Sequence, residues 1–579
     1  MRDILAGGFR MRLAIAQINT TVGDFSGNSR KIFLGFANAR KAQADLLVFP
    51  EMTIPGYPPE DLLFKRAFVD ANLRALKYVA AQSRGLQAVL GFVDRDAGGK
   101  LYNAAAVLVN GHWVGTYRKI ELPNYGVFDE KRYFSKGSEG CLLDLNGLRI
   151  GLSICEDIWL PESYVYEPPY RGGTSLILNL SASPYHMGKQ SQRKALIEKL
   201  AKHTGAHVAY VNLVGGQDEL VFDGGSLLVS PSGKTLAAGA YLGEDFLVRD
   251  LLLHPRRENT GVPISQHLPF QTIPLNLRGK SPKKPLLQFK NTLARPFSRQ
   301  EEVYRALVLG TRDYVEKNAF DKVLIGLSGG VDSALVACIA VDALGASRVL
   351  GLTMPSRYTS SETYHDSIAL AKKLKIKLWD LSIETIYSAY LGTLKSVFSE
   401  QKHGITEENL QARIRGNLLM ALSNKFGHLV LTTGNKSEMA TGYCTLYGDM
   451  AGGFAVIKDV PKTLVYRLAR FRNRRDNDFA IPGSVLRRAP SAELRPEQKD
   501  QDTLPPYHVL DVILKNYVEG DCSLEELSQK GVLRPLARSV VRRVDRNEYK
   551  RRQAPPGLKI TPKAFGRDRR MPITNKFSL

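Results

Sequence analysis

Five cysteines in 579 residues, Cys141, Cys155, Cys338, Cys444 and Cys522, form no CxxC pair and are odd in number. That spacing argues against a disulfide framework and against a zinc knuckle. No uncharged apolar run approaches the roughly 20 residues that span a bilayer, so no membrane segment is expected. The opening residues, MRDILAGGFRMRLAIAQINT, start basic but lack a secretory apolar core with a small-residue cleavage site, and a cytoplasmic location is the expectation. Acidic residues are the scarcer charge: 57 Asp+Glu face 80 Lys+Arg, for a net charge of +23. Such an excess favours anionic partners. The chain has no zinc finger, RNP-like motif or interleaved aromatic platform, so no nucleic-acid partner is expected. Most of the late basic residues, such as Arg467, Arg470, Arg472, Arg474, Arg475, Arg487 and Arg488, read as a solvated surface.

What is present is a chain too long for one core. Its first half alternates short buried strands with helices. Strands are predicted at 13–18, 45–50, 88–93, 104–109, 149–154, 175–180, 207–213 and 225–230, with helices near 27–44, 66–83 and 190–204. That alternation means an α/β fold with a largely buried sheet. The proline-rich and polar stretch after about Leu253 reads as a linker. The second half contains strand patterns at 323–327, 348–355 and 428–435 with βαβ spacing, an open parallel sheet with its loops at the strand C-terminal ends.

Three chemistry-bearing residues stand at predicted strand ends in the first half: Glu51 after LLVFP, Lys119 in GTYRKIELPNYGVFDE, and Cys155 after RIGLSI. A thiol nucleophile needs a base, and the carbonyl it attacks needs a donor for its oxyanion. Glu, Lys and Cys meet both needs without histidine. Singly, each has a plainer reading as a cap, a surface charge or a buried small hydrophobe. Together, FPEMTIPGYP, YRKIELPNYGVFDE, SICEDIW and NLSASPYHMGK resemble the nitrilase/amidase superfamily in order and spacing. The resemblance implies a four-layer α-β-β-α sandwich over about 12–255, and a triad of Glu51, Lys119 and Cys155. It also implies Glu130 as a second carboxylate near the lysine, and Tyr57, Tyr125, Glu156, Ser183 and Lys189 as glutamine-recognition positions.

The stretch DKVLIGLSGGVDSALVACIAVDALG, from Asp321, has the form of a phosphate loop without the Walker lysine. Ser328, Gly329 and Gly330 let backbone N–H groups close on phosphate oxygens beside a helix N-terminus, and Ser333 adds a hydroxyl. Asp332 suits Mg²⁺ bridging phosphates. GLSGGVDS, from Gly326, resembles the pyrophosphatase loop of enzymes that split ATP into AMP and pyrophosphate. Farther on, TEENLQARIRGNLLMALSN, VLTTGNKSEMATGYCTLYGDMAGGFAVIKDVPKT and RRAPSAEL resemble the NAD synthetases from about 300 to 555. Carried over by position, Glu438 is the second metal ligand and Thr433 and Lys458 are ATP contacts. Asn409, Arg413, Asp449 and Lys550 face deamido-NAD⁺, and Ser491 is a late-closing contact.

Fused in this order, the halves resemble the glutamine-dependent NAD⁺ synthetases. The resemblance implies glutamine, ATP and deamido-NAD⁺ as substrates, Mg²⁺ as cofactor, and a homo-oligomer formed through the synthetase half. The expected layout is an extension at 1–11, an amidohydrolase domain at 12–255, a linker at 256–299 and a synthetase domain at 300–579. A tRNA-thiolating enzyme shares the SGGxDS-type loop and fits the charge. It would normally carry paired cysteines, which are absent, and would not need an amidase.

Overall fold

The structure, a computed structural model, describes residues 8–145, 147–167, 170–171, 173–255, 268–275, 294–398 and 404–577. The chain divides into two compact units. One comprises the chain up to Gln217 with Val221–Pro296; the other comprises Asp218–Leu220 with the chain from Phe297.

The first unit holds β1 (Phe9–Gln17), β2 (Leu46–Val48), β3 (Gln87–Arg95), β4 (Leu101–Val109), β5 (His112–Arg118), β6 (Gly140–Leu145), β7 (Leu148–Ile154) and β8 (Leu176–Ser181). These are followed by β9 (His207–Asn212), β10 (Val214–Gln217), β11 (Leu220–Asp223), β12 (Leu227–Val229), β13 (Thr235–Ala238), β14 (Asp245–Leu253) and β15 (Phe270–Pro274). One sheet runs β14-β1-β2-β3-β4-β5 and a second β13-β12-β9-β8-β7-β6-β15, with β10 and β11 as a separate pair.

Side-chain alternation decides the layering, because successive residues of a strand point to opposite faces. Leu13 and Ile15 of β1 share a core with Ile150 and Leu152 of β7, whereas Ala14 and Ala16 pack with Ile32, Phe36 and Ala39. The latter three lie on α1 (Phe25–Ala42), which with α2 (Arg66–Ala81) covers the outer face of the first sheet. Helix α3 (Lys189–Thr204) places Ile197, Leu200 and Ala201 against the second sheet. The result is a four-layer α-β-β-α sandwich.

Two stretches differ from the layout read from the sequence. Phe9–Met11, assigned to an extension, open β1 and pair with Leu251–Leu253 of β14. Phe270–Pro274, inside the expected linker, form β15 and pair in parallel with β6, because Ile273 finds an apolar place in the inter-sheet core. Of that expected linker, 256–267 and 276–293 lie outside the described residues, as do 1–7 of the expected extension.

In the second unit, α4 (Arg299–Lys317) precedes β16 (Val323–Gly326), α5 (Val331–Leu344), β17 (Val349–Thr353), α6 (Ser361–Leu374), β18 (Lys377–Asp380), α7 (Glu384–Phe398) and α8 (Ile405–Phe426). Then come β19 (Leu429–Thr432), α9 (Lys436–Thr441), β20 (Phe454–Ala455) and α10 (Lys462–Asp476). The five strands are all parallel, in the order β18-β17-β16-β19-β20. The strand order reverses at β16, so the loop that follows it opens into the crevice where open α/β sheets hold ligands. Among the described residues no helix is long and apolar enough to cross a membrane.

Leu178, fully buried between the two sheets, offers a test of this layering. Leu178→Ala should destabilise the first unit by about 2–5 kcal/mol without changing its secondary structure, read from chemical denaturation followed by circular dichroism.

Candidate functional site

Cys155 follows β7 directly, opening a short 3-10 turn with φ +42, a left-handed conformation that a non-glycine residue adopts at a cost. Glu51 lies just past β2. Its turn presses on β3 at Gly91, where a Cβ would stand 2.1 Å from the Met52 nitrogen, so only glycine fits there. Lys119 follows β5. Three strand ends thus converge, and Glu51, Lys119 and Cys155 are each at most 4% exposed.

The Lys119 ammonium donates to Glu51 Oε1 at 2.9 Å and to Glu130 at 3.0 and 2.9 Å. Burial alone would lower its pKa, but Glu130 and Glu51 together outweigh that and hold it well above the ordinary lysine value. Glu130 is pushed up to about 7 by burial, against the pull of Lys119. Burial, reinforced by Glu51, also raises the Cys155 thiol, so the resting sulfur carries its proton. The second oxygen of Glu51 accepts the Ala182 N–H at 2.7 Å, and Asn103 Nδ2 donates to Oε1 at 2.7 Å. A base so fully held keeps one orientation.

The expected glutamine-recognition residues surround this centre. Tyr57 donates to Glu130 at 3.0 Å, and Tyr125 to Glu156 at 3.0 and 3.1 Å. Lys189 sits 3.7 Å from the centroid of the Trp159 ring, with its pKa lowered to about 8 by burial and by Arg193. The Ser183 hydroxyl accepts from Arg193 at 3.3 Å, and Arg193 is itself paired with buried Asp223 at 3.0 Å. The sequence reading missed Asn103 and Arg193. A polar residue inside the apolar run YNAAAVLV was a usable signal for Asn103; nothing distinguishes Arg193 from the other cations of KQSQRKALIEK.

In the second unit, Gly326 ends β16 and Gly330 caps α5. Gly329 has φ +75, and a Cβ there would stand 2.3 Å from the Thr363 carbonyl oxygen, so the turn needs glycine. The Ser328 and Ser333 hydroxyls lie 3.2 Å apart, and the Gly330 N–H donates to Ser328 at 3.3 Å. Asp332, in the first turn of α5, accepts from Asn435 Nδ2 at 2.9 Å. Asn435 caps α9 and exchanges hydrogen bonds with Glu438, which brings that carboxylate to the same place.

Asp332 and Glu438 both bind the Lys462 ammonium, Glu438 at 3.1 Å. Burial raises Glu438 to about 7 despite that lysine, with Asp332 adding to the rise. Two hard carboxylates facing one cation position fit Mg²⁺, which takes one or two protein carboxylates and fills its remaining places with phosphate oxygens and water. Among the described residues there is no cluster of three or more His, Cys, Asp or Glu that could hold a metal unaided.

Lys462 was not singled out in the sequence. Lys458, which was, donates instead to the Pro555 carbonyl at 2.7 Å. Thr433, just beyond β19, is half-buried. Arg488 donates to the Gly329 carbonyl at 3.4 Å, so the segment that carries Ser491 starts beside the phosphate loop. Ser491 itself accepts the Glu493 N–H at 3.1 Å.

The four residues expected to face deamido-NAD⁺ meet on one loop, 442–449. Asn409 accepts from Thr445 at 2.8 Å, Arg413 donates to the Leu446 carbonyl at 3.3 Å, and Asp449 accepts the Thr445 N–H at 2.6 Å. Lys550 donates to the Gly442 and Cys444 carbonyls at 2.7 and 2.8 Å. Asp449 is raised to about 6 by burial, against the Thr445 N–H and the charge of Lys550. Not all the late arginines are solvated: Arg472 and Arg475 bind Asp342 at 3.1 and 2.6 Å.

A family model described as carbon-nitrogen hydrolase matches residues 12–255, and one described as NAD synthase matches 303–554. The glutamine-dependent NAD(+) synthetase of Thermotoga maritima is 50% identical over 580 residues, covering 98% of this chain and 99% of that protein. That of Aquifex aeolicus is 46% identical, covering 98% and 100%. A solved structure of glutamine-dependent NAD+ synthetase from Acinetobacter baumannii, in complex with ADP, is similar with a TM-score of 0.73. It is 39% identical and 98% of each chain is covered. With both family models matched and half of its residues shared over nearly its whole length, the chain belongs to the family of glutamine-dependent NAD⁺ synthetases.

Proposed function

We propose that Cys155, Lys119 and Glu51 release ammonia from the side-chain amide of glutamine, and that the GLSGGVDS loop, Asp332 and Glu438 serve the ATP-dependent amidation. As a member of its family the chain is a glutamine-hydrolysing ligase that amidates deamido-NAD⁺ to NAD⁺ with ATP. The observation that carries the residue assignment is the buried Lys119 ammonium shared by Glu51 and Glu130 beside Cys155.

At the first site, the sulfur of Cys155 attacks the amide carbon as the thiol proton passes to Glu51. Because the resting thiol is protonated, transfer and attack occur together. The Lys119 ammonium donates to the oxygen that becomes an oxyanion. The C–N bond then breaks, the nitrogen takes the proton from Glu51, and ammonia leaves. Water, deprotonated by Glu51, cleaves the thioester, releases glutamate and returns the proton to sulfur. Tyr57, Tyr125, Glu156, Ser183 and Lys189 recognise the glutamine. Glu156 offers a carboxylate to its ammonium end and Lys189 a cation to its carboxylate end.

The ammonia is delivered to the second unit. There a carboxylate oxygen of deamido-NAD⁺ attacks the α-phosphorus of ATP and the bond to the β-phosphate oxygen breaks. Backbone N–H groups of Ser328–Gly330, the Ser333 hydroxyl and the N-terminus of α5 hold the pyrophosphate. Thr433 and Lys458 are ATP contacts and Ser491 a late-closing one, with Lys462 between Asp332 and Glu438 beside them. Ammonia then displaces AMP from the mixed anhydride. Bound Mg²⁺, held by Asp332 and Glu438, would neutralise phosphate charge. Asn409, Arg413, Asp449 and Lys550 shape the loop that receives deamido-NAD⁺.

A homo-oligomer through the synthetase unit is supported by apolar side chains on α7 and α8. Tyr390, Val397, Ile405 and Phe426 are 44%, 75%, 74% and 50% exposed, apolar area open to a second copy.

Cys155→Ala should lose glutamine-driven NAD⁺ formation by at least about a thousandfold while keeping ammonium-driven formation, measured with each donor in turn. If both rates survive, Cys155 is not the nucleophile. Glu130 supports Lys119 best when ionised, so glutamine hydrolysis should rise as pH increases through about 7. Glu130→Gln should abolish that inflection and lower kcat by roughly tenfold to a hundredfold. A profile unchanged by the substitution would remove Glu130 from the mechanism. Tyr390→Lys with Val397→Lys should lower the mass seen by light scattering; an unchanged mass would move the interface elsewhere.

A further inference from the structure

One carboxylate in the first unit takes part in no step above. Asp157 is fully buried, two residues beyond Cys155. Its Oδ2 accepts the Ile154 N–H at 2.7 Å and the Tyr117 hydroxyl at 2.7 Å, and its Oδ1 accepts the Glu121 N–H at 2.9 Å. The Tyr164 hydroxyl lies 2.6 Å from that of Tyr117 and 3.4 Å from Oδ2. These donors come from two places in the chain. Ile154 immediately precedes the nucleophile, whereas Tyr117 and Glu121 stand two residues on either side of Lys119.

No lysine or arginine among the described residues hydrogen-bonds to this carboxylate, and burial raises its pKa to about 6, opposed by the Glu121 N–H and the Tyr117 hydroxyl. A group so costly to bury would ordinarily be replaced by an apolar one. What a carboxylate supplies, and an amide does not, is two oxygens that both accept. Here that capacity joins the strained turn at Cys155 to the segment presenting Lys119.

We infer that Asp157 is a positioning residue for amide hydrolysis, its single carboxylate fixing the distance between the nucleophile's backbone and the oxyanion donor's. The inference rests on the reading of Cys155 as nucleophile and Lys119 as oxyanion donor. Asparagine at 157 keeps the size but turns an N–H₂ toward one of the present donors. One arm of the tie then opens, and sulfur and ammonium drift out of register. A misplacement of about 1 Å in such a pair costs on the order of a hundredfold in rate.

The experiment uses the full-length enzyme and compares Asp157→Asn, Tyr117→Phe and Cys155→Ala with glutamine or ammonium as nitrogen donor. The ammonium reaction does not use the thiol site and reports whether the second unit is folded, while KM for glutamine reports whether the first still forms its binding site. For Asp157→Asn, kcat with glutamine should fall about a hundredfold, with KM for glutamine within about threefold and the ammonium rate within about twofold. Alkylation of Cys155 by iodoacetamide should slow as well. Tyr117→Phe, which removes one hydroxyl and little else, should lose kcat in the same direction by roughly fivefold to tenfold. An unchanged kcat in Asp157→Asn, or a loss confined to KM, beside an inactive Cys155→Ala overturns the role of Asp157 alone. If Asp157→Asn loses the ammonium reaction too, Tyr117→Phe decides: a kcat loss with ammonium use intact supports the tie, and an unchanged kcat overturns it. Undiminished glutamine hydrolysis in Cys155→Ala would overturn the underlying reading and the role of Asp157 with it.

Discussion

A lysine ammonium taken out of water has to be neutralised where it lies, and Lys119 is neutralised twice. Glu51 and Glu130 each reach it at 2.9 Å, in a place that leaves the lysine 1% exposed. Removing either partner from such a cluster leaves an uncompensated buried charge, so the three residues form one electrostatic unit. Much of the first unit's geometry follows from that constraint. β2, β5 and β7 must end at the same level; Gly91 must let the Glu51 turn close on β3; Asn103 and the Ala182 N–H must hold Glu51 from two sides while leaving an acceptor position on Oε2 open. Cys155 then meets a base and a donor whose directions are already set.

In the proposed reading the second unit solves the opposite problem, holding an anion. Its loop uses backbone N–H groups and a helix N-terminus, which carry partial positive charge at no desolvation cost comparable to a buried lysine. The acidic pair Asp332 and Glu438 sits beside that loop with Lys462 between its carboxylates. Positive and negative groups are therefore interleaved, as suits the proposed binding of several phosphates with a cation. The loop at 442–449 is built differently again, from carbonyls and N–H groups tied down by side chains of α8 and by Lys550.

The two units divide the chemistry according to what each fold does well. A closed sandwich buries a thiol, two carboxylates and an ammonium away from water, where electrostatic interactions are strongest. An open parallel sheet presents loops at one edge, where large polyanionic substrates can enter and leave. Ammonia joins them, because one site makes it and the other consumes it.

Strand and helix placement was legible wherever an apolar run was long enough to show its period. All eight strands predicted in the first half appear, and the three helices fall within two residues of their predicted ends. Strands such as β5, β6, β14, β15 and β18 were not; several are edge strands of mixed polarity, which carry no such signal and are decided by the partner they meet. Glu51, Lys119 and Cys155 were legible as residues at strand ends in a familiar order, and GLSGGVDS as a turn between a strand and a helix. The pairing of Lys462 with Asp332 and Glu438, the pairing of Arg193 with Asp223, and the hydrogen bonds of Asp157 were not. By itself the sequence determined the two α/β architectures and the motifs that carry the chemistry, because periodicity and turn chemistry are local. Only the tertiary structure decided which charges are buried together and which hydrogen bonds hold them, because desolvation and pairing depend on neighbours that are distant along the chain.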